Sequence, residues 1–134
     1  MKLTINCDGG ARGNPGPAAI GYVIKNEKGK VLHGEGKYIG ETTNNQAEYQ
    51  AVVFALEKAK ELGGTELEFN LDSELVVKQL KGEYKVKNQE LAQQFLKIYN
   101  LQHHFKKIVY KHLYREQNTE ADALVNKALD EIGK

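Results

Sequence analysis

The stretch NQAEYQAVVFALEKAKELGGTELEFNL, residues 45–71, decides the predicted fold because it joins one helix to one strand. Small and apolar residues recur at helical spacing from Ala47 to Leu62, and Gly63-Gly64 then ends the predicted helix over 45–62. Apolar and polar residues alternate over 67–71, which predicts a strand. A helix that connects two strands of one sheet requires parallel pairing, so this stretch predicts an α/β protein.

The segments on either side complete the predicted sheet. Four more strands are indicated by alternating or β-rich runs, over 3–7, 18–25, 30–39 and 108–113. Three more helices are indicated by apolar stripes, over 73–80, 88–104 and around 121–132. The turn at 26–29 predicts an antiparallel hairpin, and the glycine- and proline-rich stretch 8–17 is predicted to be a loop. We therefore predict one domain over 1–134: a mixed five-stranded sheet, an antiparallel meander followed by parallel strands, flanked by helices.

Composition excludes several classes of protein. The chain has 134 residues, a formal charge of +1 and one cysteine, Cys7, so an intramolecular disulfide scaffold is excluded. No apolar run approaches the ~18 residues of a membrane span, and we expect a soluble, cytoplasmic protein that makes no membrane contact. The near-neutral total hides a pattern, because residues 78–111 carry eight lysines and two glutamates between two acidic segments. This distribution is typical of carboxylates at one place and phosphate-facing lysines at another, although a solvated lysine-rich face explains it equally well.

Four carboxylates stand at the ends of predicted elements, and each has an ordinary structural explanation. Asp8 precedes two glycines, as turn formers do, and Asp72 stands where it could cap the helix over 73–80. Glu48 follows Asn45 by three residues and Asp122 follows Thr119 by three, the spacing of a capping box.

Considered together, the four carboxylates suggest a metal site. In α/β sheets functional groups gather at the carboxyl ends of parallel strands, where Asp8 and Asp72 are predicted, and the first turns that carry Glu48 and Asp122 can face the same end. Clustered anions need cations to neutralise them, and oxygen-only ligands select hard ions such as Mg²⁺ or Mn²⁺. Two such ions ~4 Å apart suit attack of water on a phosphodiester.

The motifs around these carboxylates resemble those of the ribonuclease HI family, in the same order and over nearly the whole chain. They are DGGARGNPGP at 8–17, TTNNQAE at 42–48, LDS at 71–73 and REQNTEAD at 115–122. The resemblance implies a ribonuclease H fold and hydrolysis of the RNA strand of RNA–DNA hybrids with two Mg²⁺ or Mn²⁺ ions, leaving 3′-hydroxyl and 5′-phosphate ends. By motif position it implies that Asp8, Glu48, Asp72 and Asp122 bind the metals.

A second set of residues is predicted to hold the hybrid. Glycines let the backbone approach a sugar-phosphate chain, and uncharged amides suit the 2′-hydroxyl, which both donates and accepts hydrogen bonds. The resemblance places amides and Thr43 on the hybrid, although plain helix capping is the alternative for Asn44 and Asn45. The predicted binding set is Gly9, Gly10, Arg12, Gly13, Asn14, Thr43, Asn44, Asn45, Gln46, Ser73 and Asn118.

The chain departs from many family members in two places. Arg115 stands near the position of their loop histidine, and we rank it above His112 as the group that holds the scissile or departing phosphate, because a guanidinium stays charged. His112 lies in a predicted strand and has an ordinary structural explanation.

The second departure is a short basic segment where longer relatives insert a basic protrusion. Lys81, Lys85 and Lys87 are predicted to bind phosphates weakly. Because this basic segment is short, two functional alternatives stay open: a hybrid-binding module with little turnover, or a nuclease that acts on another duplex. We expect a monomer.

Overall fold

A computed structural model describes residues 1–133 as five strands and four α-helices around one sheet. The strands are β1 (Lys2–Ala11), β2 (Gly16–Lys25), β3 (Val31–Thr42), β4 (Glu66–Leu71) and β5 (Lys107–His112). The helices are α1 (Asn44–Glu61), α2 (Glu74–Leu80), α3 (Gln89–Gln102) and α4 (Thr119–Glu131), and a short 3₁₀ turn, Arg115–Gln117, precedes α4. No helix within these residues is long and apolar enough to cross a bilayer.

The sheet has the predicted mixed topology. Its strand order is β3-β2-β1-β4-β5. The pairs β1–β2 and β2–β3 are antiparallel, whereas the pairs β1–β4 and β4–β5 are parallel. The parallel pairs follow from the helical crossovers, and the antiparallel pair β2–β3 follows from the turn at 26–29, where Asn26 Oδ1 accepts from the backbone of Lys28 and Lys30.

Helices cover both faces of the sheet. The larger core lies between β1, β2 and β4 and the helices α1 and α3, with Leu3, Ile5 and Phe69 fully buried. On the opposite face α4 packs on β1, β2 and β3 through a smaller cluster. Glycine allows this helix to approach closely, because a Cβ on Gly21 or Gly36 would lie 2.4 Å from a backbone oxygen of α4.

The prediction of a loop over 8–17 is wrong for most of that stretch. β1 continues through Gly9 and Gly10, which pair with Ile20 and Ala19 of β2, and only residues 12–15 lie outside the two strands. Gly9 serves close packing, because a Cβ there would lie 2.3 Å from the Ala47 backbone in α1, whereas a Cβ on Gly10 would make only an ordinary contact. Asp8 therefore lies within β1, not at its end.

Candidate active site

Three carboxylates converge at one end of the sheet. Asp8 in β1, Glu48 in α1 and Asp72 after β4 each offer one oxygen, and these oxygens all lie within 4.8 Å of one another. The side chains are partly buried, so the fold holds three acids together with limited access to water. The sequence predicted this grouping from the carboxyl ends of two parallel strands.

The register of the sheet places Asp8 beside Asp72. Parallel pairing of β1 with β4 ends at the pair Cys7–Leu71, so the next residue of each strand is the carboxylate. β1 then continues with β2 alone, where Asp8 pairs with Gly21. The cluster thus forms where the central strand loses one of its two neighbours.

Glu48 reaches the cluster from the second turn of α1. Thr43 caps this helix, and its side-chain oxygen accepts from the Gln46 backbone N at 3.2 Å. The predicted capping box of Asn45 and Glu48 is therefore wrong, because Asn45 already lies inside the helix. The Glu48 carboxylate is left to face the sheet end.

Asp72 is likewise free of the capping role proposed for it. Ser73 is the N-cap of α2, and its hydroxyl accepts from the Val76 backbone N at 3.3 Å. Ser73 also lowers the pKa of Glu48 through a hydrogen bond, although burial and Asp72 raise that pKa more strongly. The predicted contact of Ser73 with substrate remains a prediction beside this role.

Asp122 lies in the first turn of α4, at the edge of the cluster. The predicted capping box with Thr119 does not form, because Asn118 is the N-cap residue and its side chain makes no hydrogen bond to the helix. An Arg115 guanidinium nitrogen lies 3.7 Å from Asp122 Oδ1, and the Asn126 amide donates to Asp122 Oδ2 at 3.3 Å. Asp122 is therefore held by its own helix and by one exposed arginine.

The crowding changes how these acids bind protons. Burial raises the pKa of Asp8 to about 8, and the charges of Asp72, Asp122 and Glu48 contribute to the same shift. Burial and the Asp72 charge raise the pKa of Glu48 to about 8 as well. The group of acids thus resists carrying its full negative charge unless a cation shares the site. An all-oxygen donor set of this charge fits a hard divalent ion and lacks the histidine or cysteine ligands that zinc favours.

The carboxylates line a cleft of about 580 Å³. Of the other predicted residues, Gly9, Gly10, Arg12, Asn44 and Arg115 also line it. Arg12 is already paired, since its guanidinium contacts Asp130 of α4 at 2.7 Å. Asn126, Val125 and Leu129 on the opposite wall were not predicted, although the apolar stripe of α4 could have indicated the last two.

A second pocket of about 200 Å³, lined mainly by uncharged polar side chains but also by one acid, lies at the start of α1. It gathers four of the predicted binding residues, Asn14, Thr43, Asn45 and Gln46. Asn88, Glu90 and Leu91 from the start of α3 complete the pocket and were missed, because the sequence does not show that the two helix starts meet. Gln46 is 6% exposed, so only a small part of it can be reached.

Two of the predicted amides use their oxygens inside the protein. Asn44 Oδ1 accepts from the Ala11 backbone N at 2.7 Å, and Asn14 Oδ1 accepts from the Asn44 backbone N at 3.1 Å. These bonds tie the β1–β2 connection to the start of α1. They also orient the amide groups, so the NH₂ groups remain as donors toward an incoming ligand.

Several predicted residues lie outside both pockets. Asn118 is fully buried, and its contact with substrate stays a prediction. His112 ends β5, as expected, and its ring packs against Tyr114 with centroids 5.5 Å apart. Gly13 has a φ of +100° in the turn after β1, where a side chain would be strained. The exposed lysines 81, 85 and 87 lie in the α2–α3 connection, and Lys81 pairs with Glu83 at 3.3 Å.

Sequence comparison identifies relatives of nearly the whole chain. The family described as reverse transcriptase-like matches residues 6–128. A bifunctional protein of Mycobacterium tuberculosis is 42% identical over 97% of this chain, which spans only 36% of that protein's length. A ribonuclease H of Legionella pneumophila is 32% identical, with 98% of this chain and 99% of that protein covered.

Solved structures are similar throughout. The ribonuclease H1 of the halophilic archaeon Halobacterium salinarum superposes with a TM-score of 0.95 at 40% identity, covering 98% of this chain and 99% of that one. LC11-RNase H1, solved in complex with an RNA/DNA hybrid, gives 0.94 at 47% identity, with the same coverage of both chains. These values confirm the predicted fold.

Proposed function

Because the chain belongs to the ribonuclease H family, we propose that it is an endonuclease that hydrolyses the RNA strand of RNA–DNA hybrids. The observation that carries this proposal is the convergence of Asp8, Glu48 and Asp72 within 4.8 Å at the floor of an open cleft. A merely hybrid-binding protein has no need to hold three acids together against their mutual repulsion.

The donor set supports divalent ions as cofactors. We propose that Asp8, Glu48, Asp72 and Asp122 hold Mg²⁺ or Mn²⁺, two ions when substrate is bound. Such ions, when bound, supply activation of the attacking water and neutralisation of charge on the phosphate. The chain's own contribution is to hold the carboxylates in place before substrate arrives, through the register of β1 and β4 and the close approach of α1 at Gly9.

Arg115 supplies the positive charge that the protein itself offers to the reacting phosphate. It lines the cleft, lies 3.7 Å from Asp122, and is 79% exposed, so it can turn from that carboxylate toward a ligand. We propose that it holds the scissile or departing phosphate, as a guanidinium does without releasing a proton. His112 is left as the weaker candidate, since it does not line the cleft.

The pocket at the start of α1, with its amide and hydroxyl side chains, supports recognition of the hybrid. We propose that Asn14, Thr43, Asn45 and Gln46 contact the nucleic acid there, beside the cleft that Asn44 and Gly10 line. Donor NH₂ groups can bind phosphate oxygens and the 2′-hydroxyl, which distinguishes RNA from DNA. The similar LC11-RNase H1 has been solved with an RNA/DNA hybrid bound, and that complex supports the same substrate class for this chain.

A cleavage assay tests the proposal directly. A hybrid labelled on the RNA strand is incubated with the wild type, Asp8→Asn and Asp72→Asn in Mg²⁺ or Mn²⁺, and the products are compared with those from duplex RNA and duplex DNA. We expect cleavage of the hybrid only, with 5′-phosphate ends, and loss of cleavage in both variants. Tight, metal-independent binding of the hybrid without cleavage would instead identify a binding module. The monomeric state and cytoplasmic location remain predictions.

A further inference from the structure

The presence of an asparagine at position 118 is not explained by capping of α4. Asn118 is the N-cap residue of α4, where asparagine normally accepts a hydrogen bond from the first turn, yet its side chain makes no such bond. The side chain is fully buried, and its Oδ1 atom has no hydrogen-bond partner within residues 1–133. Burial of an unpaired amide oxygen costs about 1–3 kcal/mol, so a role in capping alone does not account for asparagine here.

The side-chain nitrogen of Asn118 contacts β1 and the residue that follows β4. Asn118 Nδ2 donates to the Cys7 carbonyl oxygen at 2.8 Å and to Asp72 Oδ2 at 3.4 Å. Cys7 is the last residue of β1 that pairs with β4, and it directly precedes Asp8. The NH₂ group of Asn118 therefore bridges the backbone that directly precedes Asp8 and the side chain of Asp72.

The backbone of Asn118 reaches the fourth carboxylate. Its carbonyl oxygen accepts from the Asp122 backbone N at 3.1 Å, which starts the turn that carries Asp122. A single buried residue thus connects Asp72, the strand position before Asp8, and the turn of Asp122. Asn118 therefore forms hydrogen bonds to β1, to the residue that follows β4 and to the first turn of α4.

We propose that Asn118 is a positioning residue that orients the Asp72 carboxylate and fixes α4 against the sheet end, so that the acids are arranged for divalent ions. The expected effect of Asn118 on hybrid cleavage rests on the proposed function, whereas its expected effect on metal binding does not. An amide suits this position because it donates to a carboxylate without adding charge, whereas an aspartate would repel Asp72.

The test compares Asn118→Ala with Gln79→Ala, a matched loss of a buried amide. Gln79 is 7% exposed and accepts from the Tyr49 hydroxyl at 2.6 Å, without contact to the carboxylates. Mn²⁺ is titrated into each protein without nucleic acid, and binding is followed by electron paramagnetic resonance. We expect Asn118→Ala to weaken Mn²⁺ binding about 10-fold or more, whereas Gln79→Ala leaves it unchanged even where both variants melt at lower temperature.

Two further readouts separate positioning from general destabilisation. In the wild type, the side-chain NH₂ resonances of Asn118 should shift on addition of Mg²⁺, a measurement that needs no variant to fold. In hybrid cleavage, Asn118→Ala should lower kcat about 10- to 100-fold while KM for the hybrid changes little.

The outcomes are distinct from those that test the proposed function. Equal Mn²⁺ affinity in wild type and Asn118→Ala, no Mg²⁺-dependent shift of the Asn118 resonances, or a wild type that binds no Mn²⁺ would each overturn the positioning role. A wild type that binds Mn²⁺ with Asn118-dependent affinity but leaves hybrids intact would overturn the nuclease activity and retain the positioning role.

Discussion

The acidic cluster and the basic segment 81–87 differ in how the fold holds their charges. Asp8, Glu48 and Asp72 come from three elements and are held within 4.8 Å of one another. The lysines of 81–87 are close together in one exposed connection, and Lys81 is paired with its neighbour Glu83. Charges that are held close together in a partly buried site act strongly on a bound ion or phosphate, whereas exposed charges are screened by water and salt. The first region should therefore control turnover, and the second should control affinity.

The largest expected effect follows from neutralising one acid of the cluster. Glu48→Gln keeps the shape of the side chain but removes a charged metal ligand. We expect kcat for hybrid cleavage to fall roughly 1000-fold, which corresponds to about 4 kcal/mol of transition-state stabilisation, with little change in KM. Steady-state kinetics in Mg²⁺ measure both constants.

Glu57→Gln is the matched control, since it makes the same change on an exposed position of α1. It should leave both constants at wild-type values. If Glu48→Gln raised KM while kcat stayed constant, the cluster would serve binding, and the assignment of the two regions would be reversed.

Arg115 tests whether a single positive charge at the acidic cluster acts on turnover. Arg115→Ala should lower kcat about 10- to 100-fold, less than the loss of a buried oxyanion donor because the Arg115 side chain is exposed to water. Arg115→Lys should recover part of the loss, since it keeps the charge but not the fork of donors. His112→Ala, at the end of β5 outside the cleft, should change kcat much less; an equal loss there would contradict the preference for Arg115.

The pH dependence of stability measures the repulsion within the cluster. Burial and neighbouring acids raise the pKa of Asp8 to about 8 in the folded protein, whereas an unfolded aspartate titrates near 4. The folded state then binds the proton more tightly, so without metal the Asp8 contribution weakens stability progressively as pH rises from about 4 to about 8. Asp8→Asn cannot lose a proton, and it should be more stable than the wild type at pH 8 by roughly 1–3 kcal/mol.

Urea unfolding in EDTA at several pH values tests this expectation. The advantage of Asp8→Asn should be small near pH 4, should grow toward pH 8, and should shrink when Mg²⁺ is added, because the ion neutralises the wild-type cluster. An advantage that is independent of pH would show that Asp8 does not titrate in this range. The comparison with the exposed lysines would then lose its electrostatic basis.

The limits of sequence prediction follow from the same contrast between local and tertiary structure. Alternation and helical spacing identified all five strands and the crossovers, and strand adjacency placed Asp8 beside Asp72. Gly9 and Gly10 were misassigned to a loop because glycine is common in turns, whereas the close approach of α1 is what requires a glycine at Gly9. The capping boxes that the spacing of Asn45 and Thr119 offered as alternatives do not form, because the N-cap residues are Thr43 and Asn118.

Polar residues at the site were harder to predict than acids. Asn118 was predicted to bind substrate, yet its side chain is buried and donates to the backbone of β1. The sequence shows that an amide is present, but its exposure depends on how three elements pack. Arg12 was predicted to face the hybrid, and its pairing with Asp130 depends in the same way on the distance between β1 and α4.

The smallest expected effect belongs to the basic segment. Lys85 and Lys87 are exposed, and no ion pair is found for either within residues 1–133. Replacing both by alanine should raise KM for the hybrid about 3- to 10-fold at low salt, leave kcat unchanged, and reduce the slope of log affinity against log salt by roughly 1–2. Lys28→Ala with Lys30→Ala, at the β2–β3 turn beyond the opposite end of the sheet, is the matched control and should change neither constant. Because exposed charges act through counterion release, the difference between the two pairs should disappear as salt rises; a loss of kcat that persisted at high salt would place these lysines in the catalytic region instead.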